Sequence, residues 1–318
     1  MEKNIVILKG LIYQSALEFL WHEGFVGIPY QGITNATGSC EAVSNVFTLT
    51  ESDFQTLSQT VQLHLERDII KNGLPRMFST NRSFRRDNKH WTLDGRHLND
   101  FELLETEALD TDLEWLLKHC SDMLEYIFKN VLSVSSKYGL LTPQQHHQLY
   151  LFYEKGFKII HYTEAVEILK HQYNLEWGDD LSSDYEQYLV NHFDQNIMVT
   201  HYPEKIKFFN MKLVRDDPKD KQTCECVDVI LKHSGESIGG SVREYDFDIL
   251  KKRLMEGTMI GQLRQLKSQH DGKPEGVDKM FDDYLDLFKN NPVERSGMGM
   301  GFGRVLQFIY GSNEIFPF

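Results

Sequence analysis

The chain has 318 residues, 41% of them apolar, and carries 47 Asp and Glu against 34 Lys and Arg, for a formal net charge of −13. That length and apolar share allow one large core, whereas the acidic balance disfavours a surface that wraps nucleic acid unless basic residues cluster locally. No apolar run approaches the length of a membrane span and no signal-peptide pattern opens the chain, so a cytosolic protein is expected.

Taken in order, residues 11–23 show an amphipathic helical pattern, with Ile12, Ala16, Phe19 and Leu20 on one side, ending at Gly24 and leading through Phe25 and Val26 to Pro29 as a strand. Residues 54–71 read as a second helix, and 75–84 and 101–108 as two strands of a hairpin joined by a polar loop. From about 110 to 192 the pattern turns helical, with Leu113, Leu116, Leu117, Cys120, Met123 and Leu124 at helical spacing and Thr163 as an N-cap; this stretch reads as an insertion. Strands are expected at 197–200, 206–215 and 224–231, helices at 246–256 and 277–289, and a final strand running into a helix at Arg304. No repeat, low-complexity tract or linker divides the chain. The sum is an α+β fold, an antiparallel sheet flanked by helices.

Several motifs are excluded by spacing. The cysteines at 40, 120, 224 and 226 lack zinc-site spacing, and Cys224 and Cys226 sit in an alternating stretch that suits packing. Gln-Gln-His-His-Gln at 144–148 puts adjacent histidines in different directions on a polar helix, so no metal is assigned there. No Gly-x-Ser-x-Gly or His-Glu-x-x-His occurs, and the glycines at 297–303 precede an arginine where a phosphate loop would need Gly-Lys-Ser/Thr.

Two arginine motifs stand out: Ser-Phe-Arg-Arg-Asp at 83–87, followed by Gly-Arg-His-Leu-Asn-Asp-Phe-Glu-Leu-Leu-Glu-Thr-Glu at 95–107, and Gly-Met-Gly-Met-Gly-Phe-Gly-Arg at 297–304. Between them lies Val-Asp-Val-Ile-Leu-Lys-His-Ser-Gly-Glu-Ser-Ile-Gly-Gly-Ser-Val-Arg-Glu at 227–244. Arginine's planar fork suits phosphate oxygens, and glycine lets a flat ligand approach a strand. Together these motifs fit an ATP site.

Their order resembles the catalytic core of class II aminoacyl-tRNA synthetases, and within them the asparaginyl family. The resemblance continues through Tyr-Thr-Glu-Ala-Val-Glu-Ile-Leu at 162–169, Trp-Gly-Asp-Asp-Leu at 177–181 and Tyr-Pro-Glu-Lys-Ile-Lys-Phe-Phe-Asn-Met at 202–211, covering nearly the whole chain. It implies a single catalytic domain over 1–318, with the helical insertion at about 110–192 and without the family's OB-fold anticodon-binding domain. It also implies a homodimer built on Phe19 to Pro29, with ATP as substrate and Mg²⁺ as its metal. In the matching positions, Arg85 would bridge the α-phosphate and the amino-acid carboxylate, and Asp87 would accept from the adenine amino group. Arg96 and His97 would hold the outer phosphates, Phe101 would stack on adenine, and Gly299 and Gly301 would admit the purine. Arg304 would face the γ-phosphate and Asp228 and Glu236 the metal, while Glu41 and Gln62 would hold the α-ammonium and Arg243 the side-chain oxygen of the substrate.

Aspartyl members carry a lysine three residues after the glutamine matching Gln62, and this chain has Leu65 there. An amide substrate is therefore expected before a carboxylate: asparagine first, aspartate second. Departures from the family pattern are Asp87 for Glu, a longer loop over 88–95, Gly303 for an acidic residue, and Thr60-Val61 for Ser-Gly. With the acidic surface, the resemblance implies an adenylate passed to a non-standard acceptor: ammonia, an amine, a carrier or a tRNA acceptor end. The alternatives are an asparagine synthetase using aspartate, ATP and ammonia, like the archaeal proteins related to this family, and a silent paralogue that binds or regulates.

Overall fold

Apolar side chains at Leu8, Ile12, Ala16, Phe19 and Leu20 recur every three or four residues, and helix α1 (Glu2–His22) buries all five. The computed structural model describes residues 2–38, 43–49, 54–86, 98–315 and 317–318. After α1 come strands β1 (Val26–Gly27), β2 (Ile33–Thr34) and β3 (Thr56–Leu57), helix α2 (Gln62–Asn72), and the long strands β4 (Arg76–Phe84) and β5 (Asp100–Leu109). Helices α3 (Leu113–Tyr138) and α4 (Pro143–Lys155), strand β6 (Lys158–His161), and helices α5 (Tyr162–Leu169) and α6 (Ser183–Phe193) follow. The chain closes with β7 (Ile197–Thr200), β8 (Cys226–Leu231), β9 (Gly235–Val242), α7 (Phe247–Glu256), α8 (Thr258–Asp271), α9 (Asp282–Asn290), β10 (Arg295–Gly301) and α10 (Phe302–Tyr310).

Eight strands form one sheet in the order β1-β4-β5-β10-β9-β8-β7-β6, antiparallel except for the parallel pairs β1–β4 and β6–β7 at its two edges. Strand alternation then sorts its two faces. Leu104 and Ala108 of β5, Met298 and Met300 of β10, and Val227, Val229 and Leu231 of β8 point into the core made with α1, α3 and α10. The residues between them, Glu105, Glu107, Gly299 and Asp228, face the other way. Two satellite cores support that second face, one joining α7, α8 and α9, the other α5, α6, β6 and β7.

The helix ends are set by local chemistry. Asp112 caps α3 by accepting from the Trp115 N–H at 2.8 Å, and Thr142 with Gln145 forms a reciprocal capping box at α4. Gly139 ends α3 at φ 63°, a left-handed conformation that costs glycine least. No helix among the described residues is long and apolar enough to cross a membrane.

The structure departs from the sequence reading in seven places. The helix expected over 11–23 begins at Glu2, and that expected over 54–71 divides into β3 and α2. The stretch 110–192 is helical apart from β6, which pairs in parallel with β7 at the sheet edge, and α3 within it forms part of the main core. Thr163 is not the cap of α5; its N–H donates to His161 Nδ1 at 3.2 Å. Residues 206–215 form no strand, because their backbone groups go to several partners: the Lys212 N–H to Val242 O, the Val214 N–H to Thr223 O, and single bridges from Met211 to Arg243 and Leu213 to Cys224. Strand β9 and helix α8 were not expected. Cys120, Cys224 and Cys226 are buried free thiols, as packing predicts, and Cys40 lies outside the described residues.

His119 of α3 is 4% exposed, stacked on Trp115 at 4.7 Å and Phe25 at 5.2 Å, with no partner for Nε2 among the described residues. Burial, reinforced by Arg76, pushes its pKa down to about 3. The folded state thus holds the neutral ring, and stability is lost as pH falls below the unfolded value near 6.5, at about 1.4 kcal/mol per pH unit until the folded pKa is reached. His119→Phe should remove that slope, measured as a flatter acid limb in denaturant titrations between pH 6 and 4; an unchanged limb would contradict it.

Candidate active site

The strand register builds the site floor. Asp228 pairs with Gly239, Gly239 with Gly299, and Gly299 with Glu105, so one row on the open face runs carboxylate, glycine, glycine, carboxylate across β8, β9, β10 and β5. At roughly 4.8 Å per strand the row is about 14 Å long. Above it lies a cleft of about 1920 Å³ lined by Arg85, Phe101, Gln62, Arg243, Arg304 and Glu236, among others. Protein packing does not itself demand glycine at 299 or 301. A Cβ at Gly299 or Gly301 would meet only ordinary contacts, at 3.7 Å from Glu105 Cγ and 3.5 Å from Arg304 Cγ.

Arg85 follows β4, where its N–H donates to Asn99 O at 2.9 Å and closes the base of the hairpin loop. Its guanidinium lies over the Phe101 ring at 5.1 Å, which brings the expected phosphate and adenine contacts side by side. Asp87, Arg96, His97 and Glu41 lie outside the described residues.

The metal-binding expectation falls on a crowded corner. A Cβ added to Gly239 would lie 2.6 Å from Glu236 Oε1 and 3.8 Å from Asp228 Oδ1, so both carboxylates converge over that glycine. Lys207 Nζ already sits 2.6 Å from Asp228 Oδ2 and 3.9 Å from the centre of the Tyr202 ring, a cation held by a carboxylate and a π face. Arg304 Nη1 donates to Ser234 O, in the turn that leads to Glu236. Two hard carboxylates suit a cation bound chiefly through nucleotide phosphates. No group of three or more His, Cys, Asp or Glu among the described residues is arranged to hold a metal without them.

Glu186 of α6 was missed by the sequence reading. It is buried, and Oε2 accepts from the Glu236 N–H at 3.1 Å. Burial and the neighbouring Glu236 and Asp228 push its pKa up to about 8, against the pull of Arg304. Gly235 at φ +74° is required beside it, since a Cβ there would lie 2.6 Å from Glu186 Oε2. The available signal was a glutamate three and four residues before Leu189 and Val190, on the buried face of its helix.

Arg243 is 2% exposed. Nε and Nη2 donate to Glu107 Oε1 at 3.0 and 2.6 Å, Nη1 donates to Ser241 Oγ at 2.7 Å, and Glu66 stands 4.0 Å away. Glu66 in turn accepts from Arg295 Nε at 3.1 Å and from Arg295 Nη2, from the Tyr284 hydroxyl at 2.9 Å, and from Gln62 Nε2 at 3.3 Å. Burial raises the Glu107 carboxyl, to about 7, while Arg243 pulls it back. Above neutral pH the two carboxylates therefore balance the two guanidiniums. Leu65 is buried among Val61, Ile69 and Met77 and is not a wall of the cleft. Thr60 donates to Glu105 Oε1, and the Val61 N–H donates to Glu105 Oε2 at 3.0 Å, so this departure fastens α2 to the floor.

The tRNA synthetases class II (D, K and N) match residues 1–317. The asparagine–tRNA ligase of Thermococcus kodakarensis is 32% identical over 308 residues, which are 96% of this chain and 65% of that protein. That of Pyrococcus horikoshii is 33% identical over 319 residues, 98% of this chain and 66% of that protein. A crystal structure of asparaginyl-tRNA synthetase from Pyrococcus horikoshii complexed with asparaginyl-adenylate superposes with a TM-score of 0.82 at 31% identity, covering 98% of this chain and 66% of that one. The chain thus spans about two thirds of the length of these relatives.

Proposed function

The chain belongs to the class II tRNA synthetases of the D, K and N group, and from that premise we propose that it is an ATP-dependent, AMP-forming ligase. It activates asparagine, in preference to aspartate, as an enzyme-bound aminoacyl adenylate and passes the acyl group to an acceptor other than tRNA. The observation that carries this reading is the single cleft that joins Arg85 and Phe101 to Arg304, the Asp228–Glu236 corner and Arg243. The substrate carboxylate oxygen attacks the α-phosphorus of ATP, and the bond to the departing pyrophosphate breaks. Arg85, at the hairpin base, would hold the two anions together, and Arg304 would hold the far end of the triphosphate. Mg²⁺, held by Asp228 and Glu236 through the nucleotide, would supply charge neutralisation there. The open space over Gly299 and Gly301 would take the purine.

Asparagine is favoured over aspartate by the charge balance around Arg243. Glu107 already satisfies that guanidinium, and Lys207 is spent on Asp228, so a second substrate carboxylate would enter a buried pocket without its own cation. Asp87, Arg96, His97, Glu41 and Gln62 keep the roles that the family pattern gives them. The acidic net charge of −13 favours a small acceptor over a polyanion. Hydroxylamine trapping tests the reading: asparagine, ATP and Mg²⁺ should give asparagine hydroxamate and equal AMP, and failure to form either would overturn it.

Lys207 should also hold the metal corner in check. Lys207→Met removes a cation 2.6 Å from Asp228, and Mn²⁺ binding to the complex with a non-hydrolysable ATP analogue, measured by isothermal titration, should tighten about tenfold or more. Unchanged affinity would remove Asp228 from the metal site.

A further inference from the structure

Resting on the activation reading, we propose that the acceptor is a small primary amine carrying an apolar body and an anionic group, the chemistry of a free apolar amino acid. The cleft of about 1920 Å³ takes in side chains that neither ATP nor the activated amino acid uses in the activation reading. These lie on one side of the cleft, an arm made by α7, α8 and the segment over 204–222. Phe208, Met211, Ile249 and Met259, all half-buried, line this arm, and Lys252 stands exposed on α7.

The arm leaves the floor at Met211, which forms an isolated antiparallel bridge with Arg243. A molecule in the arm therefore lies beside whatever docks on Arg243. Arg253 anchors the near wall by donating to Met211 O and to Phe208 O at 3.2 Å, and its own charge is taken by Glu204 at 2.9 Å. Lys219 and Lys252, both exposed and in the lining, form no ion pair among the described residues, and Glu256 lines the same side. An apolar lining with exposed ammonium groups matches an apolar side chain and a carboxylate. It does not match bare ammonia, which would use none of it, nor a tRNA end, whose affinity depends on many phosphate contacts.

The acceptor's neutral amine nitrogen attacks the adenylate carbonyl carbon. A C–N bond forms, the C–O bond to AMP breaks, AMP leaves with the electron pair, and the nitrogen releases its proton to solvent. The product is an amide in which the activated residue acylates the acceptor.

The test supplies the full chain with ATP, Mg²⁺ and asparagine, and offers leucine, methionine, phenylalanine, 3-methylbutylamine, ammonium chloride or bulk tRNA. Amide and AMP are measured by mass spectrometry, and amide is expressed per adenylate formed. Leucine or methionine should exceed both ammonium and 3-methylbutylamine, the amine without the carboxylate, by about tenfold or more. Lys252→Glu should abolish the preference for leucine over 3-methylbutylamine, and Met259→Asp should lower the amide yield per adenylate. Adenylate that reacts only with ammonium or tRNA would overturn this inference and leave the activation reading standing. A leucine preference that survives both variants would remove the arm from acceptor binding. No AMP with any amino acid would overturn both readings together.

Discussion

Arg85→Ala is expected to lower amino-acid-dependent adenylate formation about 10³-fold, the cost of removing a guanidinium aimed at charge that develops in phosphoryl-type transfer. The residue sits just beyond the end of β4, over Phe101, and lines the same cleft as the row formed by Glu105, Gly299, Gly239 and Asp228. Its backbone N–H closes the hairpin through Asn99 O. The loss should therefore appear in the rate of the activation step, read by single-turnover AMP release, with the circular dichroism spectrum retained. Arg85→Lys should recover only part of the rate, since a point charge cannot bridge two anions as a planar fork does. Wild-type activation in Arg85→Ala would place the chemistry elsewhere.

Glu66→Gln should be the most destabilising single substitution, by about 3–5 kcal/mol, because it strips the countercharge from Arg295 in a fully buried site. Arg295 is 0% exposed, its guanidinium lies 4.4 Å from the centre of the Phe288 ring, and Arg243 stands 4.0 Å from Glu66. Two buried guanidiniums would then share Glu107 alone. The pair substitution Glu66→Leu with Arg295→Met should recover much of the loss, since it removes both charges instead of leaving one unpaired. Urea denaturation of the two variants checks this. A double variant as weak as Glu66→Gln would show that packing at the site, not charge pairing, sets the cost.

Much of the sheet was legible because its strands alternate. Met298 and Met300 between glycines, and Leu104 and Ala108 flanking Glu105 and Glu107, each mark one apolar and one open face. Strand β9 was not legible, since Gly235, Gly239 and Gly240 interrupt any alternation, and those glycines answer to Glu186, Glu236 and Met298 across the fold. Helix α8 was hidden by a start at Thr258 without a side-chain cap and by a sparse apolar face of Ile260 and Leu263. The segment over 206–215 reads as a strand locally, but its hydrogen bonds are divided among neighbours far along the chain.

The site divides in the same way. Arg85, Phe101, Asp228, Glu236, Arg243 and Arg304 reach one cleft from motifs more than two hundred residues apart. Partners invisible to local pattern complete it: Glu107 on Arg243, Lys207 on Asp228, and Glu186 beneath Glu236. Charge reasoning along the sequence turned on Leu65, which lies in a separate apolar cluster. The balance that bears on the substrate is made instead by Glu66 and Glu107 against Arg243 and Arg295.

The central claim is an asparaginyl adenylate formed in this cleft, and amino-acid-dependent exchange of labelled pyrophosphate into ATP tests it most directly. With Mg²⁺ present, asparagine should drive exchange at least tenfold faster than aspartate, and omission of the amino acid should stop it. Exchange with aspartate alone, accompanied by asparagine and AMP when ammonium is added, would contradict the charge argument at Arg243 and make the protein an asparagine synthetase. No exchange with either amino acid, despite measurable ATP binding, would contradict the enzyme reading itself.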